Sequence, residues 1–174
     1  MSQMHHIGEF CLAIEPRPDN GLRDRSQIMA VKKGDGNAVY KEKNMTFFPY
    51  TSLSTIVAVL VYMVLSINVG RARKAYGIVA PAVSGHIEFE KRYRVQMNTV
   101  EQFIIFLPVL WLSAVWVGDE FAAIMGLVWS VGRIVYARGY YASAEKRGGG
   151  FGIGALATIG MLLATIHEIV KSVL

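Results

Sequence analysis

The chain has 174 residues, of which 53% are hydrophobic, and its mean hydropathy is positive at +0.35. It is too apolar for an ordinary soluble domain and too long for a single membrane anchor, so we predict a small polytopic membrane protein. The formal net charge of +5 does not indicate nucleic-acid binding, because the basic residues lie at the ends of hydrophobic segments, where orientation in a membrane explains them.

Residues 1–44 form a polar leader of mixed charge. They contain Pro16, Pro18 and no apolar run long enough for a signal peptide, so we expect the leader to be largely disordered and the first hydrophobic helix to direct insertion. The single cysteine, Cys11, lies here and excludes an internal disulfide and a paired-cysteine metal motif. Met45 opens directly onto a hydrophobic segment, so a translation start at Met45 is an alternative and no function is expected of the leader.

The first two membrane spans follow the leader. Residues 47–69 carry no charge and are long enough to cross about 30 Å of hydrocarbon with some tilt. After a basic connection, the second span ends near Val117. Its uncharged part, residues 102–117, is too short to span alone. The helix must therefore include residues 94–101, which places polar groups close to or within the membrane.

Two more spans complete the chain. The turn at residues 118–120 is acidic, and the third span runs from Phe121 to near Arg147. The glycines at 148–150 are expected to break the helix, and the fourth span runs from Phe151 to about Val170. The fold class is therefore all-α, a four-helix transmembrane bundle over residues 45–174.

Charge bias predicts the orientation of this bundle. The first and third connections are basic, whereas the second carries only acidic residues. The basic connections should therefore face the cytosol. The sequence is compatible with a bacterial inner membrane or with an endomembrane.

Polar residues form a stripe on the second helix. Arg94, Asn98 and Glu101 are spaced i, i+4 and i+7, which places them on one helical face, with Gln96 nearby but off the stripe. Ionisable groups at membrane depth are usually functional. The alternative is an interfacial helix end at which Arg94 and Glu101 pair with each other.

A second stripe lies on the third helix. Arg133, Tyr136, Tyr140, Ser143 and Arg147 are spaced 3, 4, 3 and 4, which predicts one aromatic and cationic face. The alternative is an aromatic belt with snorkelling arginines. If both stripes lie at one depth, they form a cleft for a polar, carboxylated ligand surrounded by lipid. No histidine has a partner at metal-ligand spacing, so no metal is expected.

Two segments resemble a known family. Phe89–Glu101 (FEKRYRVQMNTVE) and Tyr136–Arg147 (YARGYYASAEKR), together with Arg71–Tyr76, resemble the membrane-associated proteins in eicosanoid and glutathione metabolism, the MAPEG family. Within it the chain is most similar to microsomal glutathione transferases and cysteinyl-leukotriene synthase. The resemblance covers essentially Met45–Leu174, and the leader has no counterpart in the family pattern.

The resemblance implies a homotrimer with glutathione as co-substrate between neighbouring subunits. Arg147 would be catalytic, at the glutathione sulfur. The thiolate would then attack a lipophilic electrophile or peroxide arriving from the bilayer, so transferase and peroxidase activities are both implied. The residues implied to bind glutathione are Arg73, Arg94, Gln96, Asn98, Glu101, Tyr136 and Tyr140.

Two positions depart from the leukotriene synthase pattern. Gln102 stands where that enzyme has a tyrosine, and Lys74, a candidate second acid near the electrophile, stands where it has an arginine. Both argue against a leukotriene substrate. Three alternatives to the transferase stay open: a non-catalytic lipid-binding scaffold of the same fold, a glutathione-dependent lipid isomerase, and a purely structural bundle.

Overall fold

A computed structural model of the chain describes residues 28–32, 38–42 and 47–174, within two units, Met1–Thr46 and Phe47–Leu174. In the first unit, β1 (Ile28–Lys32) and β2 (Ala38–Glu42) pair in antiparallel register. The expectation of disorder did not include this pair of strands. The rest of the leader, with Cys11, lies outside the described residues, so its disorder stays a prediction.

The second unit consists of four long helices. They are α1 (Pro49–Ala75), α2 (Ile87–Trp116), α3 (Asp119–Ala142) and α4 (Gly148–Val173), with a short 3₁₀ turn at Ala144–Arg147 before α4. All four are long and apolar enough to cross a membrane, which confirms the predicted four-span bundle. α2 begins earlier than residue 94 and includes the whole polar segment, because His86 caps its first turn by accepting from the Glu88 backbone N–H at 3.2 Å.

The acidic turn between α2 and α3 also caps the N-terminus of α1. The Asp119 carboxylate accepts hydrogen bonds from the backbone N–H groups of Tyr50 at 3.0 Å and Thr51 at 2.7 Å. The first N–H groups of a helix have no partner within the helix, so a carboxylate here satisfies donors that lipid cannot. The turn therefore ties the start of α1 to the start of α3.

The boundary between α3 and α4 differs from the prediction. α3 ends at Ala142, because Ser143 is extended, with φ −157° and ψ 137°. The predicted break at the three glycines is wrong, since Gly148, Gly149 and Gly150 form the first turn of α4. Of the three, only Gly150 is close-packed, because a Cβ there would overlap the Tyr136 backbone, whereas nothing lies within 4 Å of a Cβ at Gly148 or Gly149. On α3, a Cβ at Gly132 would lie 2.8 Å from the Gly154 nitrogen.

The interior of the bundle is built around α3. The Phe106 and Trp129 rings stack at 4.0 Å between centroids, and Leu110, Ala157 and Met161 are buried in the same cluster. Many large apolar side chains of all four helices instead point outward. Such a surface is unsuited to water and suited to lipid, in agreement with the predicted spans.

Glycine at position 150 should be essential for packing of α3 on α4. We expect Gly150→Ala to lower the free energy of unfolding by about 1–3 kcal/mol, the usual cost of overpacking. Gly152→Ala is the matched control, because nothing lies within 4 Å of a Cβ at Gly152. Thermal unfolding in detergent measures both. Equal melting temperatures for the two variants would contradict close backbone packing at Gly150.

Candidate functional site

A buried arginine lies at the centre of the site. Arg133, on α3, is 1% exposed, and its Nη2 donates to the Thr99 hydroxyl at 2.7 Å and to the Asn98 side-chain oxygen at 3.4 Å. Its guanidinium carbon lies 4.1 Å from the centre of the Tyr136 ring. Arg133 therefore joins the polar faces of α2 and α3, which the sequence predicted to converge.

An aromatic series leads from this arginine to the connection between α3 and α4. The ring centroids of Tyr136 and Tyr140 are 5.8 Å apart, and the Arg147 guanidinium carbon lies 5.9 Å from the Tyr140 centroid. We call Arg133, Tyr136, Tyr140 and Arg147 the cationic row. It has one buried cation at one end and one exposed cation at the other.

The cationic row does not follow one helical face as predicted. Because α3 ends at Ala142, Ser143 and Arg147 lie beyond the helix. Ser143 caps the C-terminus of α3, because its backbone N–H donates to the Gly139 carbonyl at 2.9 Å. Arg147 reaches Tyr140 because the 3₁₀ turn folds back on Gly139, at which a Cβ would lie 2.5 Å from the Lys146 carbonyl oxygen. The sequence pattern gave no indication of this role of Gly139.

The α2 stripe extends the site outward. Asn98 donates its side-chain N–H to the Glu101 carboxylate at 3.4 Å, and the side chains of Arg94 and Glu101 are exposed. No ion pair joins Arg94 and Glu101 in residues 47–174, where the acidic partners are Glu88 and Glu168. The alternative in which Arg94 and Glu101 neutralise each other is therefore wrong.

Two of the expected ligand-binding residues have other partners. Gln96 donates to the Tyr62 hydroxyl and to the Ser66 hydroxyl of α1, both at 3.3 Å. Arg73 donates to the Ala82 carbonyl at 2.8 Å and so holds the connection between α1 and α2. The Lys74 side chain is exposed. Within residues 47–174, no hydrogen bond joins Arg73, Gln96, Arg94 or Lys74 to the cationic row.

Arg133 was predicted on the α3 stripe but was absent from the set implied by the family resemblance. It lies nine residues before the end of α3, about 13 Å along the helix, so it is deep within the span. No carboxylate of residues 47–174 lies within ion-pair distance of it, and its Nε has no hydrogen-bond partner there. An arginine inside an apolar span was the signal that could have singled it out.

Comparison with known proteins agrees with this geometry. The sequence pattern of the MAPEG family matches residues 51–167, a range that contains both polar stripes and all four helices in large part. The chain belongs to the MAPEG family. It is therefore an integral membrane protein of that family, and the matched range excludes the leader.

The relatives include proteins with named activities. An uncharacterized protein of Synechocystis sp. is 48% identical over 124 residues, 69% of this chain and 90% of that protein. Microsomal glutathione S-transferase 2 of Homo sapiens is 40% identical over 99 residues, 56% of this chain and 67% of that protein. Leukotriene C4 synthase of Bos taurus is 38% identical over 93 residues, which cover 53% of this chain and 62% of that enzyme.

Proposed function

We propose that this MAPEG protein is a membrane-bound glutathione transferase that conjugates or reduces lipophilic electrophiles or hydroperoxides. The observation that carries the proposal is the cationic row beside Asn98 and Glu101, in which cations, hydroxyl groups and one carboxylate extend from the buried Arg133 to the exposed Arg147. The named relatives support a glutathione-utilizing membrane enzyme.

The charges of glutathione are complementary to those of this site. It carries two carboxylates, which suit arginine guanidinium groups, and one ammonium, which suits the Glu101 carboxylate. Tyr136 and Tyr140 add hydroxyl donors along the row. A lipid-facing site also admits the second substrate directly from the bilayer, so the two substrates approach from different phases.

Arg147 is the residue we assign to the sulfur. A free thiol has a pKa of about 8.5, so only a small fraction is thiolate at neutral pH. A guanidinium beside the sulfur favours the charged form and lowers the thiol pKa. The thiolate then forms a sulfur–carbon bond as the bond from that carbon to its leaving atom breaks. With a hydroperoxide, two glutathione molecules supply two electrons and yield an alcohol, water and glutathione disulfide.

We further infer that the site is completed between subunits of a homotrimer, as the MAPEG resemblance implies. Arg94 and Glu101 are exposed on one subunit, at a depth where charges facing lipid are costly. A neighbouring subunit and bound glutathione would give them partners. Arg73, Gln96 and Lys74, which do not reach the row within one subunit, are then assigned to the completed site, which faces the cytosol if the basic connections do.

The thiol of bound glutathione tests the proposal. We expect glutathione to bind detergent-purified protein and its ultraviolet thiolate absorbance to emerge at a pH at least one unit below the pKa of the free thiol, a difference of about 1.4 kcal/mol. S-methylglutathione is the matched control, because it keeps every other group and cannot form a thiolate. No binding of glutathione by folded protein would overturn the transferase and favour a lipid-binding scaffold.

A further inference from the structure

A groove on the outer surface of the bundle lies between α1 and α3, off the cationic row. Its volume is about 470 Å³, and its wall is formed mainly by aliphatic side chains such as Leu60 and Val64 of α1 and Ile134 of α3. Three polar residues also line the groove: Asn68, Arg138 and Tyr141. No role in glutathione chemistry has been assigned to this surface.

The polar residues of the groove share one end of it. Asn68 lies near the end of α1, and Arg138 and Tyr141 lie near the end of α3. Because α1 and α3 both run toward the basic connections, these ends lie at the same membrane surface. The wall therefore changes from aliphatic at membrane depth to polar at the surface.

This polar end is suited to an anion. Arg138 is exposed and takes part in none of the ion pairs of residues 47–174, whereas the nearby Arg92, over the Tyr141 ring at 5.3 Å, is paired with Glu88. The Tyr141 hydroxyl oxygen is buried beside the Asn68 side chain and forms no hydrogen bond of good geometry in the described part of the chain. A buried hydroxyl without a partner is costly, so a ligand oxygen here would be stabilised.

The length of the groove matches one leaflet. From Val57 to Asn68, α1 rises about 16 Å, which is roughly half the 30 Å thickness of the hydrocarbon core. A single acyl chain of one leaflet therefore fits along the wall while its head group stays at the surface. The alternative is that Arg138 only extends its charged group to the membrane surface. That alternative would not require an aliphatic groove of this length or a buried hydroxyl at its end.

We propose that the groove binds one anionic phospholipid, with an acyl chain along the α1–α3 wall and the phosphate at Arg138. The guanidinium, the Tyr141 hydroxyl and the Asn68 amide donate to the phosphate oxygens. The Arg138 charge selects an anionic lipid over a zwitterionic one. This site is independent of the proposed glutathione chemistry.

Native mass spectrometry of full-length protein tests the proposal, with phosphatidylglycerol and phosphatidylcholine supplied in equal amounts. We expect about one phosphatidylglycerol retained per subunit, in preference to phosphatidylcholine. Arg138→Gln should weaken that retention about tenfold, the effect expected for one charge-assisted hydrogen bond. Arg71→Gln is the matched control, since Arg71 is also exposed at the same membrane surface but does not line the groove.

A second pair of variants tests the acyl-chain wall. Leu60 and Leu163 are 53% and 62% exposed, and only Leu60 lines the groove. Leu60→Trp should block lipid retention, and Leu163→Trp should not. Equal effects within either pair, or equal retention of both lipids, would overturn the proposal. If added oleate is retained in preference to phosphatidylglycerol, the ligand of the groove is a fatty acid and not a phospholipid. If Leu60→Trp changes the oligomeric state, the groove is instead an interface with a second copy of the chain.

Discussion

Arg147→Ala is expected to abolish the thiolate absorbance of bound glutathione at neutral pH and to lower kcat about 10²–10³-fold, the usual loss when one charge-stabilising group is removed from a reacting centre. Arg147 is exposed, lies beyond α3, and its guanidinium carbon is 5.9 Å from the centroid of the Tyr140 ring, its neighbour in the cationic row. Its removal should therefore leave the melting temperature unchanged. Ultraviolet difference spectra and initial rates with a model electrophile measure the two effects.

The sign of the expected pH dependence follows from the charge of Arg147. A cation beside the sulfur lowers the thiol pKa, so its loss should return that pKa toward about 8.5 and move activity to higher pH. At alkaline pH the Arg147→Ala variant should recover part of its rate, because the thiol then ionises without a neighbouring cation. Unchanged pH profiles would contradict the role of Arg147 as thiolate partner.

Two further variants distinguish this specific role of Arg147 from the effect of any positive charge on the same turn. Lys146→Ala removes a neighbouring exposed cation from the same 3₁₀ turn and should leave the thiolate absorbance intact. Arg147→Lys keeps the charge but loses the planar fork, so we expect partial activity. If Lys146→Ala and Arg147→Ala lose the same activity, the surface potential of this turn, and not Arg147 itself, activates the thiol.

The membrane spans could be predicted from the sequence because lipid requires long apolar helices with internally satisfied backbones. The end of α3 could not be predicted in the same way. Three consecutive glycines at 148–150 locally favour a helix break, but Gly150 allows the backbones of α3 and α4 to approach closely. A glycine can end a helix or allow close packing against a second helix. Which of the two occurs depends on a contact with residues distant in sequence, and a local sequence pattern carries no information about that contact.

The polar faces could also be predicted in part. Asn98 and Glu101 on α2, and Tyr136 and Tyr140 on α3, follow helical periodicity. In the structure Arg133 contacts Asn98 and Tyr136, while Glu101 lies beside Asn98 and Tyr140 beside Tyr136. The partners of Gln96 and Arg73 could not be predicted, because they depend on how α1 and its following connection pack. The glutathione roles of all these residues stay predictions.

The burial of Arg133 carries a cost in stability. An arginine removed from water and left without a carboxylate carries a desolvation penalty of several kcal/mol, and hydrogen bonds to Thr99 and Asn98 offset only part of it. A packed apolar side chain in this position would avoid that penalty. We infer that Arg133 is a positioning residue, which holds the Asn98 amide and the Tyr136 ring for the ligand.

Arg133→Met should therefore separate stability from binding. Removing a buried charge that has no ion-pair partner in residues 47–174 also removes its desolvation penalty, and the Thr99 hydroxyl keeps its hydrogen bond to the Val95 carbonyl at 2.7 Å, so we expect an equal or higher melting temperature. Glutathione binding should weaken about 10–100-fold, because Asn98 and Tyr136 lose the group that orients them. Thermal unfolding and equilibrium binding of glutathione, both in the same detergent, measure this pair of effects.

A threonine pair tests the mechanism by which Arg133 acts. Thr99→Val keeps the side-chain shape and removes the hydroxyl that accepts from Arg133 at 2.7 Å, so it should weaken glutathione binding in the same direction as Arg133→Met. Thr158→Val makes the same change at a buried threonine of α4, which donates to the Gly154 carbonyl, and should leave binding unchanged. An Arg133→Met variant that loses stability and keeps its glutathione affinity would make Arg133 a purely structural residue, and the two polar stripes would then meet for packing alone.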